Sequence, residues 1–359
     1  MSLVKNITYK LLSLIFEVEE NHSKELGLLY RILIIRQHNQ LGDLLISSPI
    51  FRALKEKYPY SDITTIVSPA NHKALEGNPF IDHFFIFDKH RMFKLGYLKE
   101  LRSVLKRKYD AVIVPSVTSI SFTSNLLARL AKAETRIGPN SLNGKINSSA
   151  FFFDRRIDLD WRDRPDTHVS QRNLDIIKPF GIEIDDLTTV IHSGEKEDEL
   201  TEKFINQFPG NKESPLIGFH IGAGKIQNRW GHTNFAKVID RLIKDAGARV
   251  YLTQGGEDDK QLNDLVDKNT DADLIIFDQP GMPVLKSLIE KSDLFITNDT
   301  GPMHAAAATK TKTISLFGPT DPGMWAPQGE GKYFLWNGED INNISVDDVY
   351  NLTMRLIIE

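Results

Sequence analysis

Short apolar runs rich in Ile and Val recur along this chain, with about one helix of sequence between successive runs. A continuous apolar run such as 32–35 belongs to a strand buried on both faces, as in a parallel sheet covered by helices. In the first half, 32–35, 63–67, 83–87 and 111–114 read as strands. Helical periods at 43–57, 98–108 and 122–132 separate them, the first ending near Pro59. The rhythm restarts in the second half. Strands are expected at 216–220, 249–253, 274–277, 294–297 and 313–317, and helices at 234–244, 258–268, 284–291 and 302–308. Between the halves, 138–165 reads as a long loop rich in Asn, Ser and Gly, 167–179 as a helix, and 181–215 as a charged, turn-rich boundary. The expected fold class is α/β. Two doubly wound parallel sheets would face a cleft and bind ligands at the carboxyl ends of their strands.

The 359 residues suit two domains of roughly 150 each. The boundaries expected are 1–30 for an N-terminal extension, 31–190 and 191–345 for the two α/β domains, and 346–359 for a closing helix. Cysteine is absent, which excludes disulfides, thiolate metal sites and cysteine nucleophiles. A net charge of −4 speaks against wrapping nucleic acid. No apolar run approaches the ~20 residues of a membrane span.

Leu3, Val4, Ile7, Leu11, Leu14, Ile15 and Val18 recur at helical steps, giving an amphipathic helix. It either packs on the body of the protein or lies on a membrane surface. No cleavage site follows it, so a cytoplasmic location is expected, with peripheral contact at the inner face of the inner membrane as an option. Between Lys89 and Lys108 stand eight Lys or Arg against one acidic residue, Glu100. This is either a solvated helix face or a docking surface for an anionic acceptor or lipid headgroups.

Four constellations carry candidate chemistry. After the first strand comes Arg36-Gln37-His38-Asn39-Gln40-Leu41-Gly42-Asp43. Asp43 falls at the start of a helix, where the dipole favours its anion. It is either a helix cap or a base that takes a proton from a substrate hydroxyl. The second is the loop from His220 through Gly222, Gly224 and Lys225 to Asn228-Arg229-Trp230. Ile226 after Lys225 breaks the Walker A pattern, and Gln227 breaks the dinucleotide fingerprint. The loop is therefore another kind of phosphate loop or a plain turn.

The third is Thr297-Asn298-Asp299-Thr300-Gly301-Pro302-Met303-His304-Ala305-Ala306-Ala307-Ala308, which runs from strand to helix without slack. Pro302 suits a first helical position, and the whole reads as a diphosphate site with His304 as a ligand contact. The fourth, Phe317-Gly318-Pro319-Thr320-Asp321-Pro322, reads as a rigid turn or a lip of the same pocket. No metal-ligand spacing is visible.

Together these motifs, with Leu41-Gly42-Asp43, Pro49 and Arg136-Ile137-Gly138, resemble glycosyltransferase family 9, the ADP-heptose:lipopolysaccharide heptosyltransferases. The resemblance covers about residues 31–330. It implies the GT-B fold, with 31–190 on the acceptor side and 191–345 binding the nucleotide sugar. It also implies metal-independent, inverting transfer of heptose from ADP-heptose to an anionic lipopolysaccharide-type inner-core acceptor, with no cofactor. Asp43 matches the family's general base. Asp299, Thr300, Gly301 and His304 match its donor motif, joined by Gly222, Gly224, Lys225 and Arg229, and Arg136 falls to the acceptor. Asn228 stands where some members carry Lys, so the phosphate cation is either Lys225 or Arg229. Two rival functions share the architecture, a sugar-nucleotide epimerase and a non-catalytic nucleotide-sugar binder.

Overall fold

A computed structural model describes residues 3–37, 41–209, 211–278 and 280–358. His38, Asn39 and Gln40, part of the segment read after the first strand, lie outside the described residues. The chain divides into two compact units. One comprises residues 1–72 and 78–187, the other 73–77 and 188–359.

The first unit holds a seven-stranded sheet made of β1 (Arg31–Arg36), β2 (Asp62–Val67), β3 (His83–Ile86), β4 (Tyr109–Ile113), β5 (Ala133–Leu142), β6 (Lys145–Ile146) and β7 (Arg155–Leu159). The strand order is β3-β2-β1-β4-β5-β6, and β7 also pairs with β5. All pairings are parallel except the short β5–β6 ladder. Ile32 to Ile35 are wholly buried, as a strand covered on both faces requires. The helix Leu95–Lys106 turns Tyr97, Leu101 and Leu105 inward at four-residue steps, onto Leu33, Ile66, Phe85 and Val112.

The N-terminal helix Leu3–Phe16 packs on this unit. The Tyr9 ring meets Phe122 edge-on at 5.6 Å, and Phe16 meets Phe152 at 6.3 Å. Arg129 Nε donates to the Phe16 carbonyl at 2.6 Å. Leu11, Leu14 and Ile15 face solvent. Among the described residues no helix is long and apolar enough to cross a membrane.

The second unit repeats the winding with β8 (Leu216–His220), β9 (Arg249–Gln254), β10 (Ile275–Asp278), β11 (Leu294–Asn298), β12 (Lys312–Phe317) and β13 (Lys332–Trp336). Their order is β10-β9-β8-β11-β12-β13, parallel throughout. The helices His232–Ala246 and Val346–Ile358 pack together over this sheet. Phe235, Ile239, Val349 and Leu356 lie in one core with Phe219, Ile296 and Leu316.

Four expectations need correction. Residues 138–165 are not a loop. They contain the end of β5, all of β6 and β7, and a short 3₁₀ turn at Ala150–Phe152. Asn143 and Gly144, with φ of 48° and 75°, close a two-residue hairpin between β5 and β6. β7 carries Arg155, Arg156 and Asp158, so an apolar-run criterion passes over it. The helix expected at 43–57 is two helices, Leu41–Leu45 and Pro49–Lys57, because Pro49 has no N–H to continue the first. The helix expected at 167–179 is Val169–Leu174 followed by the 3₁₀ turn Lys178–Phe180. β13, unforeseen, is an edge strand with Phe334 and Trp336 half exposed, and lacks the enclosed Ile/Val signature.

Candidate functional site

Each sheet reverses its winding between its two central strands, and the loops leaving those strands diverge to frame a crevice. In the second unit the central strands are β8 and β11. The glycine-rich loop leaves β8 and the Asp299-Thr300-Gly301 turn leaves β11. The topology thus brings the sequence's second and third constellations to one switch point.

Side chains tie these loops together. Asn298, wholly buried at the end of β11, donates from Nδ2 to the Ile221 carbonyl at 2.8 Å, and its Oδ1 accepts the Trp230 N–H at 3.2 Å. One amide thereby pins both ends of the glycine loop. Asn228 Nδ2 donates to Asp299 Oδ2 at 2.8 Å and to Thr320 Oγ1 at 3.3 Å, linking three loops. Burial raises the Asp299 pKa above the usual carboxylate range, opposed by a hydrogen bond with Thr320 and by the charge of Lys225.

The two candidate cations differ. Arg229 Nε donates to the Ala223 carbonyl at 2.7 Å, and its Nη2 pairs with Asp258 at 3.1 Å, so its guanidinium braces the loop. Lys225 is exposed on the loop, within electrostatic reach of Asp299.

The two loop glycines also differ. A Cβ on Gly222 would overlap Asp259 Oδ1. That carboxylate accepts the Gly255 N–H at 2.7 Å and stands 3.8 Å from His220 Nε2. Burial lowers the His220 pKa and Asp259 opposes the shift. At Gly224 nothing approaches the Cβ position, and the backbone is open to solvent.

Thr300 caps the short helix Gly301–Ala307 by position, but its hydroxyl makes no capping bond, and Pro302 lies in the first turn. His304 is in the same helix and only 4% exposed.

In the first unit the central strands are β1 and β4. Asp43 lies in the first turn of Leu41–Leu45 after β1, and is 7% exposed. Thr118, in the loop leaving β4, donates to Asp43 Oδ2 at 3.2 Å. Arg36, the last residue of β1, is buried, and its Nη2 donates to the Asp43 carbonyl at 3.2 Å. Burial lowers the Arg36 pKa, while the Asp43 charge works against that shift. Gln37 Nε2 donates to Ser121 Oγ at 2.9 Å, fastening the end of β1 to the start of helix Phe122–Leu130.

Arg136 lies elsewhere, on β5. Its Nη2 and Nε donate to the carbonyls of Ala131 (2.8 Å) and Ala128 (3.2 Å), at the carboxyl end of helix Phe122–Leu130. Sequence reasoning missed Thr118 and Asp259, and it named Asn298 and Asn228 within their motifs without the bridging that each performs. Thr118 sits in a polar run directly after an apolar strand, a signal that could have singled it out. Among the described residues no group of three or more His, Asp or Glu side chains could hold a metal ion.

The family profile described as glycosyltransferase family 9 (heptosyltransferase) matches residues 98–349. The chain belongs to glycosyltransferase family 9. Lipopolysaccharide heptosyltransferase 3 of Escherichia coli strain K12 is 28% identical over 304 residues, covering 83% of this chain and 85% of that protein. The family 9 glycosyl transferase from Veillonella parvula DSM 2008 has a similar structure. Its TM-score is 0.77 at 20% identity, over 95% of this chain and 99% of that one. E. coli ADP-heptose LPS heptosyltransferase II matches with a TM-score of 0.74 at 20% identity, over 91% and 98%. This family 9 chain is a glycosyltransferase of GT-B fold, each unit a Rossmann-like winding.

Proposed function

We propose that the protein transfers heptose from ADP-heptose to an inner-core lipopolysaccharide acceptor, with inversion and without a metal ion. Family membership and the heptosyltransferase relatives support the donor and acceptor classes. The observation that carries the residue assignment is Asp43 at the switch point of the first sheet, its Oδ2 hydrogen-bonded by Thr118.

An acceptor hydroxyl oxygen forms a bond to the anomeric carbon as the bond from that carbon to the ADP oxygen breaks. Asp43 takes the hydroxyl proton. Thr118 orients the carboxylate, and the buried Arg36 supplies a compensating positive charge beside it. In the second unit, Lys225 meets the charge of the departing diphosphate, because Arg229 is engaged in bracing the loop. Gly224, Thr300, Gly301 and His304 line the donor side. Asp299, through Asn228 and Thr320, holds the loops in register. Arg136 holds the helix that Ser121 begins, and acts on the acceptor region through that helix.

Calorimetry and turnover together test the assignment. Asp43→Asn should leave the ADP dissociation constant unchanged and lower kcat by roughly 10²–10⁴-fold. Lys225→Ala should weaken ADP binding, and a chelator should leave the wild-type rate unaltered. Full turnover by Asp43→Asn would remove Asp43 from the reaction.

A further inference from the structure

Behind the glycine loop of the second unit stand two titratable groups that the transfer reaction does not use. His220 ends β8 and is buried, and Asp259 lies in the first turn of helix Glu257–Asp267. Hydrogen bonds fix where the ring proton sits. Thr253 Oγ1 donates to the Phe219 carbonyl at 3.3 Å and stands 2.9 Å from His220 Nδ1. The hydroxyl proton is spent on that carbonyl, so the hydroxyl oxygen accepts and Nδ1 carries the ring proton. The neutral ring then turns the Nε2 lone pair toward Asp259 Oδ2, 3.8 Å away. Two acceptors face each other at a distance too long for a hydrogen bond, and one proton between them completes an ion pair.

The surroundings of His220 leave that role to Asp259. β9 presents the Thr253 hydroxyl. β11 presents Thr297, opposite His220 in the ladder, with its hydroxyl on the Asn298 carbonyl. On the loop, Arg229 is paired with Asp258. Among the described residues Asp259 is the charge that acts on the ring, and burial holds the ring pKa below its usual 6.5, so the free ring is neutral near pH 7.

The carboxylate also touches the loop. It occupies the space that a side chain on Gly222 would fill, and it accepts the Gly255 N–H at 2.7 Å. A diphosphate seated at Gly224 and Lys225 brings further negative charge to a loop that already has Asp259 against it. Like charges in a partly buried site raise each other's energy, and a proton on the pair relieves both.

We infer that His220 and Asp259 form a proton-accepting pair behind the donor loop, and that one proton passes from solvent to His220 Nε2 as the diphosphate binds. His220 is a positioning residue, because it acts on the donor through Asp259 and touches no reacting atom. The inference rests on the donor reading given above and adds to it a link between protonation and donor affinity. The bound state holds the extra proton, so the donor binds more tightly as pH falls, by up to about tenfold per pH unit between the free and bound pKa of the ring. The phosphates of ADP-heptose each keep one charge over this range and contribute no titration of their own.

Calorimetry of the full chain with ADP-heptose, without acceptor, tests it. Wild-type affinity should rise at least ~threefold from about pH 8 to about pH 6. At about pH 7 the binding enthalpies in PIPES and in Tris should differ in the sense of proton uptake. His220→Gln should lose most of both effects. Asp259→Asn keeps an oxygen for the Gly255 N–H and removes the charge. At about pH 8 it should bind the donor as tightly as the wild type does at about pH 6, a gain that loss of structure cannot produce.

A flat wild-type affinity without proton uptake would overturn the inference. So would uptake undiminished in His220→Gln, which would place the proton on Asp299 or His304, or weaker donor binding by Asp259→Asn. A wild type that bound no ADP-heptose at any pH would remove the donor reading itself, and the inference with it.

Discussion

Single side chains decide how the loops of the second unit are held. Asn298 is the clearest case, because its one amide satisfies a carbonyl at one end of the glycine loop and an N–H at the other. An unpaired backbone group buried there would cost about 1–3 kcal/mol, so the loop and the strand end stay in register. Gly222 is set by a different constraint. Its missing side chain leaves the space that the Asp259 carboxylate fills. Gly222→Ala should therefore destabilise the protein by about 1–3 kcal/mol, read as a lower urea midpoint. Combined with Asp259→Ala, the loss should be markedly smaller than the sum of the two single losses. Strict additivity would show that the carboxylate is not what Gly222 makes room for. The spacing of Gly222, Gly224 and Lys225 announces a loop, but the roles of the two glycines differ in ways that only their neighbours reveal.

At the scale of elements, strand ends and helix starts are where the first unit builds its candidate site. Helix Phe122–Leu130 begins at Ser121, whose hydroxyl accepts the Ser124 N–H at 3.2 Å and also receives Gln37 Nε2. Ser121→Ala removes a helix cap and a tie to β1 together. It should lower stability by about 1 kcal/mol, seen as a lower thermal midpoint. Arg136 completes the other end of that helix, which explains a motif residue that touches no part of the Asp43 site. The enclosed strands β1, β4, β8, β11 and β12 were legible because burial on both faces demands unbroken apolar runs. β7 and β13 were not, since β7 carries Arg155, Arg156 and Asp158 and β13 keeps Phe334 and Trp336 half exposed, whereas the edge strands β3 and β10 keep short apolar runs. The hairpin at Asn143-Gly144 was legible in principle, yet the polar residues around it outweighed the signal.

For the molecule as a whole, stability also reflects a buried amine at the carboxyl end of the helix Gly301–Ala307. The Lys332 amine donates to the carbonyls of Ala306 and Thr311, and burial lowers its pKa from 10.5 to about 8. Below about pH 8 the amine is charged both folded and unfolded, and the cost of burying that charge is fully present. Between about 8 and 10.5 the unfolded chain holds more protons, so stability rises with pH there, by up to about 1 kcal/mol per unit. The urea midpoint of the wild type should climb relative to Lys332→Met across that window, and parallel curves would refute the shift. The chain passes between its two units more than once. Residues 73–77 belong with 188–359, and Gly77, at φ of 73°, lies against His192. By itself the sequence determined the α/β class, the doubled winding, the family and the loops that carry the chemistry, because enclosed strands and tight strand-to-helix turns restrict residue choice locally. Tertiary structure alone decided that Thr118 meets Asp43, that Arg229 braces while Lys225 stays open, and that His220 faces Asp259. Those outcomes depend on which distant segments become neighbours, and no local pattern of residues encodes that.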